Sequence, residues 1–380
     1  MLIAIDVREA YGEKSGKGFY TYHLVKNLLE IDKKNKYILY SKEKISDFDE
    51  FKNAKQLTFN GTGPLWHFRV IRHILKNPPD IFFAPSSFII PSFLPKKIKT
   101  LLTVHDLIAL IAPSGHSFKA ALIEKLLLKR AVKRATHILP VSDHTKKDLM
   151  RLCKMPISKS TVICCAADSI FQPLESSKLE SFIKEANIPS KFFLAVGTLI
   201  PRKNYLRLIR AFFRVQKIYP DQHLLIVGGK GWDCDRLFAE VKILNLQDNI
   251  HFLSYIKANN LVKLYNLAQA LVFPSLYEGF GIPPLEAMQS GCPVICSQTS
   301  SIPEVVGESA IFINPHDVES IKTALIRALK KPEDLKFLRE DGLRRAKLFS
   351  WEVSARKLLD IIEKNEIIES LATHCDRKEQ

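Results

Sequence analysis

Residues 268–297, AQALVFPSLYEGFGIPPLEAMQSGCPVICS, carry the reading that decides the fold. The apolar run Ala270–Phe273, stopped by Pro274, has the length and composition of a buried strand. Gly279 and Gly281 then allow a tight loop, Pro284 suits the first helical position, and Gly291 suits a helix stop. Cys292 and Cys296 lie in a Pro-Val-Ile context that reads as a second buried strand, where cysteine acts as a small hydrophobe. Strand, loop, helix and strand in about 30 residues make a βαβ unit, and such a unit builds a parallel sheet.

The same alternation extends in both directions. Short β-branched or aromatic runs at 2–6, 37–40, 81–84, 100–105 and 137–141 alternate with amphipathic stretches such as 20–31 and 120–134. Regularity lapses over the Pro- and Ser-containing segment 168–178 and then resumes, with strands at 192–197, 223–228, 250–253, 270–273 and 311–313 and helical patterns between them. The chain is thus expected to form two Rossmann-like α/β domains, 1–170 and 171–350, facing across a cleft. Residues 351–380 read as a helical segment bracing the two. No residue pattern repeats with a solenoid period.

Composition narrows the class. The 380 residues are 46% hydrophobic and 25% charged, as in a globular protein. The longest apolar stretch, 81–94, is broken by Pro85 and Pro91 and cannot supply a spanning helix. The opening residues 1–6 read as a strand, because Asp6 interrupts the run far short of a signal sequence, so a cytoplasmic location is expected. Seven cysteines, with no paired CxxC, argue against a disulfide framework or a zinc site. Of the net charge of +16, residues 1–175 carry +12 (28 basic against 16 acidic) and the remainder carries +4 (28 against 24). Such a field attracts polyanions. Nucleic acid is the weaker candidate, since the chain has no RNP-type strand, zinc spacing or evident recognition helix.

Ligands of open α/β sheets sit beyond the carboxyl ends of strands. After the strand 270–273, the loop of Glu278, Gly279, Phe280 and Gly281 should aim backbone N–H groups and the positive helix end at a diphosphate, with Gly281, Ile282 and Leu285 as donors. Glu278 and Glu286 supply acceptors for sugar or ribose hydroxyls. Gly197 leads into Arg202 and Lys203, a guanidinium fork and a point charge suited to phosphate oxygens. Gly228, in GGKGW, follows another strand. Gly16 and Gly18 precede the helix at Tyr20 and suggest a flexible loop able to approach phosphate or acceptor. His105 directly follows the strand 100–104, and Ser142 is placed to cap the helix after the strand 137–141.

Together these stretches resemble the retaining glycosyltransferase family four, the group 1 glycosyl transferases of the GT-B fold. The paired glutamates of EGFGIPPLE carry the resemblance most specifically, and SGKGFYTY, TVHDL, LPVSDHTKKDL, VGTLIPRKN, IVGGKGW and SSIPEVVG follow in the family's order over most of the chain. The resemblance implies sugar transfer from a nucleoside diphosphate to a saccharide or lipid-linked acceptor, with retention and without a metal or other cofactor. It places Glu286 at the donor ribose, Glu278 and His105 by the transferred sugar, and Arg202 and Lys203 at the diphosphate. Relatives in polysaccharide and lipopolysaccharide assembly suggest GDP-mannose as the donor. Phe19 stands where relatives often have Arg.

Two other readings remain open at this point: a nucleotide-sugar epimerase, and a basic non-enzymatic protein that binds nucleic acid or membrane. A peripheral position on an anionic membrane is also expected, through the helix 118–135. There Leu122, Leu126, Leu127, Ala131 and Val132 would form an apolar face beside Lys119, Lys125, Lys129, Arg130, Lys133 and Arg134.

Overall fold

The computed structural model describes residues 1–12, 16–111, 118–186 and 188–376, the side chains of 118–121, 124, 185–186 and 365–376 excepted. It divides into two compact units, Met1–Cys165 with Ser350–Gln380, and Ala166–Phe349. In the first, strands β1 (Leu2–Asp6), β2 (Lys36–Ser41), β3 (Ala54–Thr58), β4 (Ile81–Ala84), β5 (Lys99–Val104) and β6 (His137–Pro140) form one sheet in the order β3-β2-β1-β4-β5-β6. In the second, β7 (Phe192–Val196), β8 (His223–Val227), β9 (Ile250–Leu253), β10 (Ala270–Phe273), β11 (Val294–Ser297) and β12 (Ala310–Ile313) run in the order β12-β11-β10-β7-β8-β9.

Every pairing is parallel. Renumbered from its own first strand, the second sheet repeats the order of the first, so each unit is a doubly wound Rossmann sheet. Helices cover both faces, which is why β4 (IFFA), β7 (FFLAV) and β10 (ALVF) are buried along their whole lengths instead of alternating. The α/β reading of the sequence is borne out twice over. The pattern did not disclose β3, whose AKQLT is half-exposed at the sheet edge, or the helix Pro64–Lys76 that follows it.

Two local expectations change. Gly16 and Gly18 occupy the first turn of the helix Gly16–Ile31 and not a loop, with Gly18 buried; Ser15, the start of the SGKGFYTY segment, lies outside the described residues. The helix Phe118–Arg134 does not present one apolar face: Leu128, Ala131 and Val132 enter the core, Leu127 is half-buried, and Leu122 and Leu126 stand in the open. Among its described side chains, those that enter the core lie in its C-terminal half. Lys119 belongs to this helix, but its side chain lies outside the described residues.

The closing helix Trp351–Asp376 packs on Gly16–Ile31 within the first unit. Trp351 stacks on His23 with centroids 5.4 Å apart and meets Tyr20 edge-on at 5.8 Å, while Ser354 Oγ donates to the Cys164 carbonyl at 2.8 Å. Among the described residues, no helix is long and apolar enough to cross a membrane. The cysteines whose side chains are described form no disulfide with one another.

Candidate active site

In the second sheet the strand order reverses between β7 and β10, and chain segments leaving these neighbours diverge to open a crevice at their carboxyl ends. Both basic and acidic motifs emerge there. After β7, Gly197 (φ +143°) and a short 3-10 turn Pro201–Lys203 bring the chain to Asn204, left-handed at φ 62°. The Asn204 amide then donates to the carbonyls of Pro274 (3.0 Å) and Pro315 (2.7 Å), fixing this turn to the loop after β10. Leu276 N–H donates to the Arg202 carbonyl at 2.9 Å, which completes the tie.

These ties place three charges together. Lys203 Nζ lies 2.7 Å from Glu278 Oε1, and Arg202 reaches Glu278 Oε2 at the same distance while donating to the Tyr277 carbonyl at 2.6 Å. Lys203 and Glu278 are both 8% exposed, so the cluster is shielded from water, and Lys203 Nζ also sits 4.6 Å above the Phe273 ring. Burial by itself would push the Glu278 carboxyl upward, but the charges of Lys203 and Arg202 outweigh it and hold the group below the usual carboxylate range. The Glu278 loop is anchored from the other side, where its N–H donates to Ser300 Oγ at 3.0 Å and Ser301 Oγ donates to the carbonyls of Glu278 (2.9 Å) and Phe280 (2.8 Å).

Gly281, at φ +118°, turns the chain into the helix Ile282–Gln289, which starts two residues before the expected Pro284 and is followed by Gly291 at φ +73°. Leu285 is no ligand donor: its N–H is spent on the Gly281 carbonyl at 3.4 Å, and its side chain is fully buried. A residue at the fourth helical position already has the N-cap carbonyl behind it. Glu286, one position on, accepts a hydrogen bond from the Tyr265 hydroxyl at 2.9 Å. Burial drives its pKa up to about 7, with Asp168 adding to the rise and Tyr265 opposing it.

Gly228 approaches the same turn so closely that a Cβ there would lie 2.1 Å from the Gly197 carbonyl oxygen. Its glycine is thus required by packing of the loops after β7 and β8, which also pair through Leu199 N–H and the Gly229 carbonyl at 3.0 Å.

His105 belongs to the first unit. It leaves the end of β5 and places Nε2 2.8 Å from the Pro85 carbonyl, with Tyr20 edge-on at 4.8 Å. A carbonyl only accepts, so Nε2 carries the proton and Nδ1 keeps its lone pair. Burial, reinforced by the Lys17 charge, lowers its pKa to about 4. Ser142 is a cap, its Oγ accepting from Thr145 N–H at 3.0 Å. Tyr265, Asn204, Ser300 and Ser301 were not singled out from the sequence, since nothing local marks a residue whose partner is many positions away. A cluster of three or more His, Cys, Asp or Glu able to hold a metal is not found among the described residues.

Two doubly wound parallel units, the second with an Arg-Lys-Glu cluster at its switch point, have the architecture of the GT-B class. The fold matches sucrose-phosphate synthase from Thermosynechococcus elongatus (TM-score 0.79, 20% identity, 96% of this chain and 98% of that one). It also matches WaaG, a glycosyltransferase involved in lipopolysaccharide biosynthesis (TM-score 0.74, 17% identity, 95% and 99%). Residues 177–345 match the family model for glycosyl transferases group 1, and residues 47–169 that for glycosyltransferase family 4. Among curated relatives, the O-antigen chain mannosyltransferase B of Escherichia coli is 30% identical over 78% of this chain and 79% of its own length. The O-antigen chain mannosyltransferase RfbU of Salmonella typhimurium is 35% identical over 61% of each. The chain belongs to glycosyltransferase family 4 and is an enzyme of sugar transfer.

Proposed function

We propose that this glycosyltransferase moves a mannosyl group from GDP-mannose to a saccharide or lipid-linked acceptor during synthesis of a cell-surface polysaccharide or lipopolysaccharide, with retention of anomeric configuration and without a metal. The observation that carries this reading is the cluster of half-buried Arg202 with buried Lys203 and Glu278 at the switch point. The mannosyltransferase relatives support the choice of sugar.

In the proposed step the bond from the anomeric carbon to the β-phosphate oxygen breaks, and the acceptor oxygen bonds the same face of that carbon. The acceptor's proton passes to the departing phosphate. Negative charge builds on the leaving oxygen, and Arg202 and Lys203 are cations already fixed where such charge would be met. Glu278 accepts from sugar hydroxyls, Glu286 from the ribose, and the N–H groups of Gly281 and Ile282 face the diphosphate. Neutral His105 acts by the transferred sugar as a hydrogen-bonding group. The enzyme works in the cytoplasm, peripherally on the inner face of the membrane.

Incubation with a panel of GDP- and UDP-sugars and a saccharide acceptor, followed by mass spectrometry and anomeric NMR of the products, tests the reading. A new α-mannosidic bond formed from GDP-mannose in the presence of chelator supports it. An altered donor sugar with no new bond would mean epimerisation instead.

A further inference from the structure

Parallel strands release their loops at one edge of a sheet, so the residues after β3 emerge on the same edge as His105, which follows β5. In the order β3-β2-β1-β4-β5, four inter-strand spacings separate the two, about 19 Å. At the β3 end of that edge a cavity of about 450 Å³ opens between the segment 58–60 and the helix Pro64–Lys76.

From the helix, Arg69, Arg72, His73 and Lys76 line the cavity, and their spacing of three, four and seven residues puts them on one face. No acidic residue stands among the described residues that line it. Arg69 is aimed by its donation to the Asn60 carbonyl at 2.5 Å, and Arg72 and Lys76 form no ion pair with a described residue. His73 contributes a ring and not a charge at neutral pH. Its Nδ1 lies 2.9 Å from the Tyr40 hydroxyl, and burial, reinforced by the charge of Lys55, keeps its pKa below the ordinary value.

Phe59, half-buried, meets the His73 ring at 5.6 Å and the Tyr40 ring at 5.9 Å, which gives the cavity an aromatic wall. Three kinds of contact are thus offered together. Guanidinium forks fit the oxygens of a phosphate. Thr58 and Asn60 can hydrogen-bond to hydroxyl groups, and Phe59 supplies a flat apolar surface for the C–H face of a ring. A phosphorylated sugar combines all three partners.

We propose that this cavity is an acceptor subsite that takes a phosphate-bearing sugar at the far end of the acceptor saccharide, while the growing end lies by His105. Arg69 and Arg72 hold the phosphate, and Phe59 underlies the sugar that carries it. Because about 19 Å separates the two places, the enzyme reads the length of the acceptor as well as its charge. The proposal rests on the transfer reaction proposed above and names the class of acceptor that the reaction uses.

Binding to the full chain is measured by calorimetry with excess GDP present, so that the cations after β7 are occupied. The ligands are α-mannotetraose 1-phosphate and the uncharged methyl α-mannotetraoside. The phosphorylated form should bind about tenfold more tightly, a preference that weakens with salt. Arg69→Gln/Arg72→Gln should erase the preference and Arg72→Gln alone should reduce it, whereas Lys336→Gln, an exposed lysine of the second unit, should leave it intact. In steady-state transfer the same preference should lie in the acceptor KM, with kcat alike for the two acceptors, because contacts remote from the reacting atoms hold ground and transition state equally. Equal affinity for the two saccharides overturns the proposal, as does a preference that survives the double variant with its circular dichroism melt unchanged. Inorganic phosphate that displaces the phosphorylated saccharide at equal concentration would reduce the cavity to a free-anion site and overturn it as well. Preferential binding without transfer from GDP-mannose would count against the proposed function and leave the subsite standing. Transfer without the preference would do the reverse.

Discussion

Lys203 Nζ and Glu278 Oε1 lie 2.7 Å apart although 75 residues separate them, because β7 and β10 are neighbours in the sheet and each releases its loop at the same end. Arg202, half-buried, reaches the other carboxylate oxygen, so both cations meet the one Glu278 side chain.

Removing the carboxylate takes away an anion that buried Lys203 and half-buried Arg202 both meet, so Glu278→Gln should destabilise the fold by about 3 kcal/mol. GDP should then raise the melting temperature of the variant more than that of the wild type, since the diphosphate replaces the lost anion. Turnover of the folded variant should fall by at least about 100-fold. Because its pKa is lowered on folding, the Glu278 contribution to stability is present at neutral pH and is lost as pH falls through the folded value. Equal melting curves for variant and wild type, with and without GDP, would contradict the assignment.

Lys203→Ala removes a cation that meets charge developing on the leaving oxygen. Its kcat should drop by about 100-fold even with donor saturating, a loss confined to the transition state. A change in donor KM alone, measured in steady-state kinetics, would rule out the leaving-group role.

Glu286 has its pKa raised to about 7, so the empty site holds a protonated acid below that pH. A ribose hydroxyl donates more strongly to the carboxylate than to the carbonyl oxygen of the protonated acid. Nucleotide affinity should accordingly rise with pH up to about 7 and then level off, with proton release on binding. Calorimetry in buffers of different ionisation enthalpy reads this directly, and Glu286→Gln should bind weakly with no such dependence. For stability the sign is opposite: the proton is favoured in the fold, so this contribution is greatest below the ordinary value of 4.5 and is lost as pH rises through about 7.

His105, with its pKa lowered to about 4, stays neutral through the range in which an ordinary histidine titrates. The rate profile between pH 5 and pH 8 should show no inflection that His105→Gln removes, while kcat itself falls about tenfold or more in that variant. Its part in stability is present above the ordinary value of 6.5 and is lost as pH drops toward 4. An NMR titration that found this ring charged at pH 6 would refute the neutral role.

Gly228→Ala forces a methyl group to within 2.1 Å of the Gly197 carbonyl unless the turn moves. Destabilisation of about 2 kcal/mol or more is expected in urea unfolding, together with weaker nucleotide binding because the displaced turn carries Arg202 and Lys203. Gly229→Ala is the control, since a Cβ there meets nothing within 4 Å.

The sequence by itself determined what short range can carry. Apolar runs bounded by Pro and Gly marked most of the strands, their alternation with helical patterns required parallel sheets, and EGFGIPPLE and IPRKN set the two motifs just after strands. It also fixed Glu278 and Glu286 on the entry to one helix and showed Ser142 as a cap. Only the tertiary structure decided partnership: Glu278 with Lys203, Glu286 with Tyr265, Gly228 against Gly197, and which side of the helix 118–134 reaches the core. Gly16 and Gly18 read as a loop because glycine signals conformational freedom, yet the helix Gly16–Ile31 takes them into its first turn. The division has one physical cause. Periodicity and turn chemistry are local properties of the backbone, whereas the meeting of distant side chains depends on which strands become neighbours, and that is settled by burial of whole sheets beneath their crossover helices.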